Sequence, residues 1–234
     1  VNLKFKKKDF NLKKQSFFTS NKSKIYNSNF YIITVPTPIT KSKKPDLRFI
    51  KLAFESIKNF LKKDDIIILE STVYPGVTEN FCGSILKKNK KKFILNKDFF
   101  LGYSPERINP GDKNHSINKI NKIVSYPNKN CLVSLKKVYQ KLGKKIFYTS
   151  HIKAAETAKV VENIQRDLNI AFINEIFIFC HINQIRFDEV IKLASTKWNF
   201  LKFKPGLVGG HCLPVDPYYF AEAAKKRGQK TKVT

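Results

Sequence analysis

The feature that most constrains the fold is an alternation of short β-rich runs with helical patterns over the first 150 residues. The predicted strands cover residues 30–35, 66–69, 99–103, 120–125 and 145–148. One predicted helix starts at residue 46, and two more cover residues 77–88 and 130–142. This alternation is typical of a parallel sheet with crossover helices. The sequence therefore predicts an α/β fold with a partial doubly wound, Rossmann-like parallel sheet.

From about residue 151 the pattern changes to that of one long helix. Residues 151–182 keep helical character with no glycine or proline, well beyond the mean helix length of about 11–12 residues. An apolar stripe recurs along it at Val161, Leu168, Phe172 and Phe179. This stripe fits packing either on the core of the same chain or on a second subunit. Shorter helices are predicted at residues 187–194 and 218–227.

The sequence carries a formal net charge of +27, which would normally suggest nucleic acid or an anionic membrane surface as partner. Lysine rather than arginine supplies most of this charge, whereas selected nucleic-acid sites favour the guanidinium group. We therefore expect no nucleic-acid partner. No apolar run reaches the roughly 20 residues of a membrane span, so we expect no membrane partner either.

The four cysteines, Cys82, Cys131, Cys180 and Cys212, are scattered and form no CxxC pair. This spacing favours neither a disulfide framework nor a zinc site, and His211 lacks partners at the spacing of metal ligands. We expect no metal, and a reducing cytoplasm as the location.

Three polar segments follow predicted strands, which is where ligands bind in open α/β folds. They are TVPTP (residues 34–38), ESTVYPG (residues 70–76) and GYSPERINPG (residues 102–111). They present the hydroxyls of Thr37, Ser71 and Thr72 and the carboxyl group of Glu106. Each segment taken alone is equally consistent with an ordinary strand-ending turn.

Two further segments carry groups suited to catalysis. Lys159 and Asn163 are four residues apart on the long helix, so these donors share one face and could hold a developing oxyanion. A solvated helix face is the other interpretation of such a pair. In GLVGGHCLPVDPYY (residues 206–219), Cys212 follows paired glycines ahead of a helix, which favours a reactive thiolate. A small buried hydrophobe is the alternative for a single cysteine.

These five segments, in this order and at these separations, resemble the UDP-glucose/GDP-mannose dehydrogenase family. The strings IITVPTPI, ESTVYPGVTE, GYSPERINPGD, AKVVENIQRDLNIAFINE and GLVGGHCLPVDPYY are similar to its branch that acts on UDP-N-acetylhexosamines. The resemblance implies a partial NAD-binding Rossmann-like domain at residues 1–149. It implies a long-helix, all-α central dimerisation domain with the catalytic cysteine loop at residues 150–234.

The resemblance also implies an activity. This is the NAD-dependent oxidation of the C6 alcohol of a nucleotide sugar to the uronic acid, for surface polysaccharide synthesis. The implied substrate is UDP-N-acetylglucosamine, UDP-N-acetylmannosamine or a related UDP-hexose, and the implied intermediates are a cysteine thiohemiacetal and a thioester. The implied partners are this UDP-sugar and a second copy of the chain, bound through the long helix.

The functional positions of the family carry over by motif. The implied catalytic residues are Cys212 as nucleophile, Lys159 and Asn163 as the oxyanion-stabilising pair, Glu106 as the carboxylate that activates water, and Asp216 as the acid that supports the lysine and water. The implied cofactor-binding residues are Pro36, Thr37, Ser71 and Thr72. The implied substrate-binding residues are Glu106, Lys159 and Asn163 again, with Arg107, Phe200, Lys204, Gly206 and Gly209.

The sequence also departs from the family pattern. Residues 1–28 contain no glycine-rich GxGxxG turn. We also expect the C-terminal UDP-binding domain of the family to be absent from this chain. A second glutamate that some members carry four positions after Glu106 is here Pro110. We therefore expect a fragment that binds NAD weakly on its own. Two rival hypotheses are an inactive remnant that keeps only the dimerisation scaffold and a basic nucleic-acid-binding module.

Overall fold

Five strands form one sheet in the order in which they occur along the chain. The computed structural model describes residues 19–108, 114, 117–140, 142–208 and 215–233. The strands are β1 (Phe30–Ile33), β2 (Ile66–Leu69), β3 (Phe100–Tyr103), β4 (Asn121–Ser125) and β5 (Lys145–Thr149). The α-helices are α1 (Arg48–Ile57), α2 (Gly83–Leu86), α3 (Leu132–Tyr139), α4 (Ile152–Ile182), α5 (Phe187–Ala194) and α6 (Asp216–Lys225). A π-helical segment, Val77–Cys82, leads directly into α2.

The sheet is mixed in direction. Strands β1, β2 and β3 are parallel, β4 runs antiparallel to β3, and β5 is parallel to β4. The predicted α/β, Rossmann-like class with a long helix is confirmed, and the reversal of β4 and β5 is the one departure from an all-parallel sheet. Strands β3 and β4 meet only at Tyr103 and Ser125, so most of β4 extends past the end of β3.

Both faces of the sheet are covered, which explains the continuous apolar run of β2. All four residues of β2 are buried, as expected for a central parallel strand. Helix α1 packs Ile50, Phe54 and Ile57 on one face. Helix α3 packs Leu135 and Tyr139 on the other.

The strand register fixes where the long helix begins. Ser125 pairs with both Tyr103 and Thr149, so β5 ends level with the end of β3. Helix α4 starts three residues after Thr149 and therefore enters beside the edge at which the parallel strands end. None of the helices described is long and apolar enough to cross a membrane.

Several element boundaries differ from the sequence-based predictions. The first strand ends at Ile33, before Pro36, and the helix expected from residue 46 begins at Arg48. The sequence predicts Asp46 as the N-cap, but Leu47 holds that position; the Asp46 carboxylate accepts a hydrogen bond from the amide of Arg48, the first helical residue, at 3.0 Å. The predicted helix at 77–88 is the π-helical segment followed by α2, and that at 130–142 is α3 with a 3-10 turn before it. The last helix begins two residues earlier than predicted.

Candidate active site

A cavity of about 500 Å³ lies where the parallel strands end. It is lined by residues 34–39 after β1, residues 70–72 after β2, Glu106 after β3, and Val215 and Asp216 at the start of α6. The predicted cofactor-binding residues Pro36, Thr37, Ser71 and Thr72 therefore share one cavity. The carboxyl ends of parallel strands meet at one edge of a sheet, which is why segments distant in sequence converge here.

Two hydroxyl groups hold in place the strand ends that line this cavity. The Ser71 hydroxyl donates to the carbonyl oxygen of Val35 at 2.7 Å, which ties the end of β2 to the end of β1. The Tyr219 hydroxyl donates to the Thr37 carbonyl oxygen at 3.1 Å. Helix α6 is thereby anchored to the turn after β1.

Helices α4 and α6 bring three predicted catalytic residues together. Lys159, Asn163 and Asp216 are all buried, with at most 8% of each residue exposed. The Asn163 amide donates to Asp216 Oδ2 at 2.5 Å. In the part of the chain that the structure describes, no carboxylate lies within salt-bridge distance of the Lys159 ammonium. A buried ammonium without a paired carboxylate is costly unless a ligand uses it.

Burial controls the charge of Asp216. Loss of solvent raises the pKa of this carboxyl group from 3.8 to about 6, although the Asn163 hydrogen bond and the Lys159 charge act in the opposite direction. The group therefore changes protonation state close to neutral pH. A carboxyl group of this kind can exchange a proton with a reacting group or with water.

Glu106 presents one carboxylate oxygen to the cavity. Its Oε1 atom accepts the amide N–H groups of Arg107 and Ile108, each at 2.7 Å. Its Oε2 atom lies 4.0 Å from the Lys122 ammonium, and 45% of the side chain is exposed. Because Oε1 is occupied by backbone donors, Oε2 is the oxygen able to meet a water molecule.

Arg107 connects the Glu106 loop to the long helix. Its guanidinium group donates to both carboxylate oxygens of Glu162 on α4, at 2.7 and 3.2 Å, and to the Asn121 carbonyl oxygen at 3.0 Å. Such a bidentate pair fixes geometry as well as charge. The predicted contact of Arg107 with substrate stays a prediction.

A buried charged cluster lies behind Glu106 and was not predicted. The Lys122 ammonium lies 3.3 Å from Glu70 Oε2, and the Tyr139 hydroxyl donates to Glu70 Oε1 at 2.7 Å. Burial and the Glu70 charge raise the pKa of the Tyr139 hydroxyl. Glu70 also lines the cavity, so this cluster reaches the site.

Glu156 is a second buried charged residue that sequence analysis missed. It is fully buried on α4, and its carboxylate accepts the amide N–H groups of Gly76 at 2.5 Å and Thr78 at 2.8 Å. Gly76 has a φ of +95°, a conformation that glycine adopts without strain. Burial raises the pKa of Glu156. The contact joins the helix that carries Lys159 to the segment that carries Thr72.

The remaining predicted positions either lie away from this cavity or fall outside the described residues. Phe200, Lys204 and Gly206 do not line it, and the Gly206 backbone exchanges two hydrogen bonds with the Asn174 side chain at 2.8 and 2.9 Å. Cys212 and Gly209 lie outside the described residues. Their roles stay predictions.

The sequence contains signals for the missed residues. Glu70 directly follows an apolar predicted strand, and Lys122 lies inside another predicted strand, directly before the apolar pair Ile123 and Val124. Glu156 is one helical turn before Lys159 and so lies on the same face. Each signal marks a residue for attention, but none of them names its partner.

Comparison with known proteins identifies the family of this chain. The family model described as UDP-glucose/GDP-mannose dehydrogenase family, NAD binding domain, matches residues 4–143. The model of the central domain of the same family matches residues 153–234. The chain belongs to the UDP-glucose/GDP-mannose dehydrogenase family, and its NAD-binding domain identifies NAD as the cofactor.

Individual relatives agree with this assignment. The chain is 48% identical over 217 residues to the UDP-N-acetyl-D-glucosamine 6-dehydrogenase of Pseudomonas aeruginosa, a match that covers 92% of this chain and 51% of the relative. It is 46% identical over 229 residues to the enzyme of the same name from Salmonella typhi, covering 97% and 54%. The chain thus spans about half the length of the curated relatives it matches.

A solved structure shows the same fold. The UDP-D-ManNAc dehydrogenase of Pyrococcus horikoshii superposes with a TM-score of 0.77 at 31% sequence identity. That match covers 88% of this chain and 49% of the solved one.

Proposed function

We propose that this chain is part of an enzyme that oxidises the C6 alcohol of a UDP-N-acetylhexosamine to the carboxylic acid with NAD. The observation that carries the proposal is that buried Asp216 lines the strand-end cavity together with Glu106, accepts a hydrogen bond from buried Asn163 and lies within range of the buried Lys159 charge. The relatives named above as dehydrogenases of UDP-N-acetylated sugars support the substrate class.

The cavity fits a nicotinamide cofactor. It lies at the carboxyl ends of β1 and β2, where nucleotides bind in sheets of this type. Thr37, Ser71 and Thr72 supply backbone and hydroxyl groups along its wall. NAD held there would supply the hydride acceptor for each of the two oxidations, one NAD for each.

The polar residues act first in the oxidation of the alcohol to the aldehyde. The C6 hydroxyl group loses its proton to Asp216, or to a water molecule that Asp216 holds, while the C6 carbon loses a hydride. Lys159 and Asn163 donate to the developing carbonyl oxygen, which a buried, preorganised pair of donors does best. The Cys212 thiolate then adds to the aldehyde carbon to form a thiohemiacetal.

The second oxidation and the release of product complete the cycle. Hydride loss from the thiohemiacetal gives a thioester on Cys212. Glu106 takes a proton from water, the water oxygen adds to the thioester carbon, and the bond from carbon to sulfur breaks. The acid leaves and the thiolate is restored. A covalent intermediate thus divides a four-electron change into two hydride steps.

Turnover tests this proposal directly. The complete gene product that carries this chain is expected to form two NADH for each UDP-N-acetylhexosamine consumed, and Cys212→Ser is expected to form no acid. Cys131→Ser is the matched control, because Cys131 is buried beside α3 and its thiol contacts the Asn128 carbonyl rather than the cavity. Acid formation by Cys212→Ser at the wild-type rate would refute the nucleophile. No NADH from any UDP-N-acetylhexosamine would favour the inactive remnant.

The expected weakness of NAD binding is tested on the 234-residue chain itself. A titration monitored by calorimetry is expected to show no saturation at micromolar NAD, because residues 1–28 lack the glycine-rich turn. Tight binding would show that the cavity alone holds the cofactor.

A second copy of the chain is the proposed protein partner. The outer face of α4 exposes Phe172, Phe179 and Ile182 by 55%, 56% and 73% of their surface, while its inner face buries the catalytic residues. Apolar side chains clustered in this way are typical of a subunit interface. Phe179→Asp is expected to convert a dimer to a monomer in sedimentation analysis. A wild-type monomer at high concentration would contradict the proposal.

The proposed location is the reducing cytoplasm. Among the described residues, Cys82, Cys131 and Cys180 are all free and buried, which fits a compartment that keeps thiols reduced. A disulfide found in protein isolated from cells under alkylating conditions would count against this location.

A further inference from the structure

We infer that Lys122 is a positioning residue for Glu106, and this inference rests on the proposed function. The Lys122 ammonium lies between two carboxylates, 3.3 Å from Glu70 Oε2 and 4.0 Å from Glu106 Oε2. Only 4% of its side chain is exposed, against 45% for that of Glu106. A buried cation thus stands directly behind the carboxylate that faces the cavity.

The fold explains how a lysine reaches this place. Because β4 is antiparallel to β3, its first residues lie beyond the end of β3, beside the loop that carries Glu106. The Arg107 hydrogen bond to the Asn121 carbonyl oxygen confirms this proximity. Lys122 is the second residue of β4 and points to the buried side.

Other groups hold the ammonium in position. Glu70 is fixed by the Tyr139 hydroxyl, and the Tyr139 ring lies 5.8 Å from the Lys122 nitrogen. Lys122 does not line the cavity, whereas Glu70 and Glu106 do. It therefore acts on the reaction through Glu106 and not by touching the sugar.

The chemical role follows from the two oxygens of Glu106. Backbone N–H groups occupy Oε1, so the Lys122 ammonium sets the direction in which Oε2 faces the cavity. Oε2 is the oxygen that takes the proton from water when the thioester is hydrolysed. Loss of Lys122 should therefore slow hydrolysis and leave both hydride transfers intact.

The experiment compares Lys122→Met with the wild type in the complete gene product. We expect kcat to fall about 10-fold to 100-fold, a part of what general base catalysis contributes. We expect kcat/KM for the UDP-sugar to stay within about twofold, because the slowed step follows the oxidations. Rapid mixing should show a burst of two NADH per site. Intact-protein mass spectrometry should show the acyl group on Cys212.

Two further variants make the result decisive. Lys137→Met, exposed on α3, is the matched control and should behave as the wild type. Removing one partner of a buried ion pair can unfold a protein, so the double variant Lys122→Met with Glu70→Gln removes both charges. It should show the same burst and the same slow release.

The outcomes separate the inference from the function on which it rests. The inference is overturned, and the function stands, if the wild type forms NADH and the kcat of Lys122→Met is unchanged. The same holds if kcat and kcat/KM of that variant fall equally. A wild type that forms no NADH overturns both.

Discussion

Replacing Asp216 with asparagine should stabilise the chain at alkaline pH. Burial raises the pKa of Asp216 from 3.8 to about 6, and one pKa unit corresponds to about 1.4 kcal/mol. Because only 1% of the residue is exposed, solvent screens the effect little. The whole pKa shift then corresponds to about 3 kcal/mol of the free energy of unfolding, which is lost when Asp216 is charged. Asparagine resembles the protonated acid and can still accept the Asn163 hydrogen bond.

The sign of this effect follows from proton binding. The folded chain holds the Asp216 proton more tightly than the unfolded chain, so this contribution to stability is complete below about pH 3.8 and is lost as the pH rises through about 6. Asp216→Asn should therefore raise the melting temperature at pH 8 by roughly 6–12 °C, and the gain should shrink towards pH 4.

Thermal unfolding followed by circular dichroism between pH 4 and 8 is the assay. Asp188→Asn is the matched control, since 71% of that side chain is exposed and it should bring no comparable gain. An Asp216→Asn chain that is less stable than the wild type at pH 8 would refute the reasoning, as would a gain that does not change with pH.

Two further predictions concern stability, measured as the free energy of unfolding in urea. Glu156→Ala leaves two buried N–H groups without an acceptor and should cost about 2–6 kcal/mol. Glu156→Gln keeps one acceptor and should cost less. Equal losses in the two variants would show that the charge of Glu156 matters and not its hydrogen bonds. Gly102→Ala would place a Cβ 2.4 Å from the Ser125 carbonyl oxygen and should cost about 1–3 kcal/mol or more; an unchanged midpoint would mean that β3 and β4 separate freely.

The elements were predictable from the sequence because each has its own local pattern. Buried strands are short apolar runs closed by turn residues, and α1 repeats its apolar side chains at helical spacing. The direction of β4 was not predictable, because an alternating strand pattern is the same in both directions. Its reversal depends on a pairing between Tyr103 and Ser125, which are 22 residues apart.

The site residues that belong to a sequence motif were predictable. Those that depend on a contact with a residue distant in sequence were not. The motif positions after β1, β2 and β3 do line one cavity, and Asn163 does meet Asp216. Glu70 and Glu156 were missed because their partners lie 52 to 80 residues away in sequence. The position of Cys212 relative to the cavity stays a prediction.

The reversal of β4 has an evolutionary consequence. The chain leaves the sheet after Tyr103 and re-enters it at Asn121, which lies beyond the end of β3 on the side where the cavity is found. Insertions between Ile108 and Asn121 would therefore leave the described pairing of β3 with β4 in place. A reversed strand of this kind lets the rim beside the cavity change in evolution while the parallel strands are inherited unchanged.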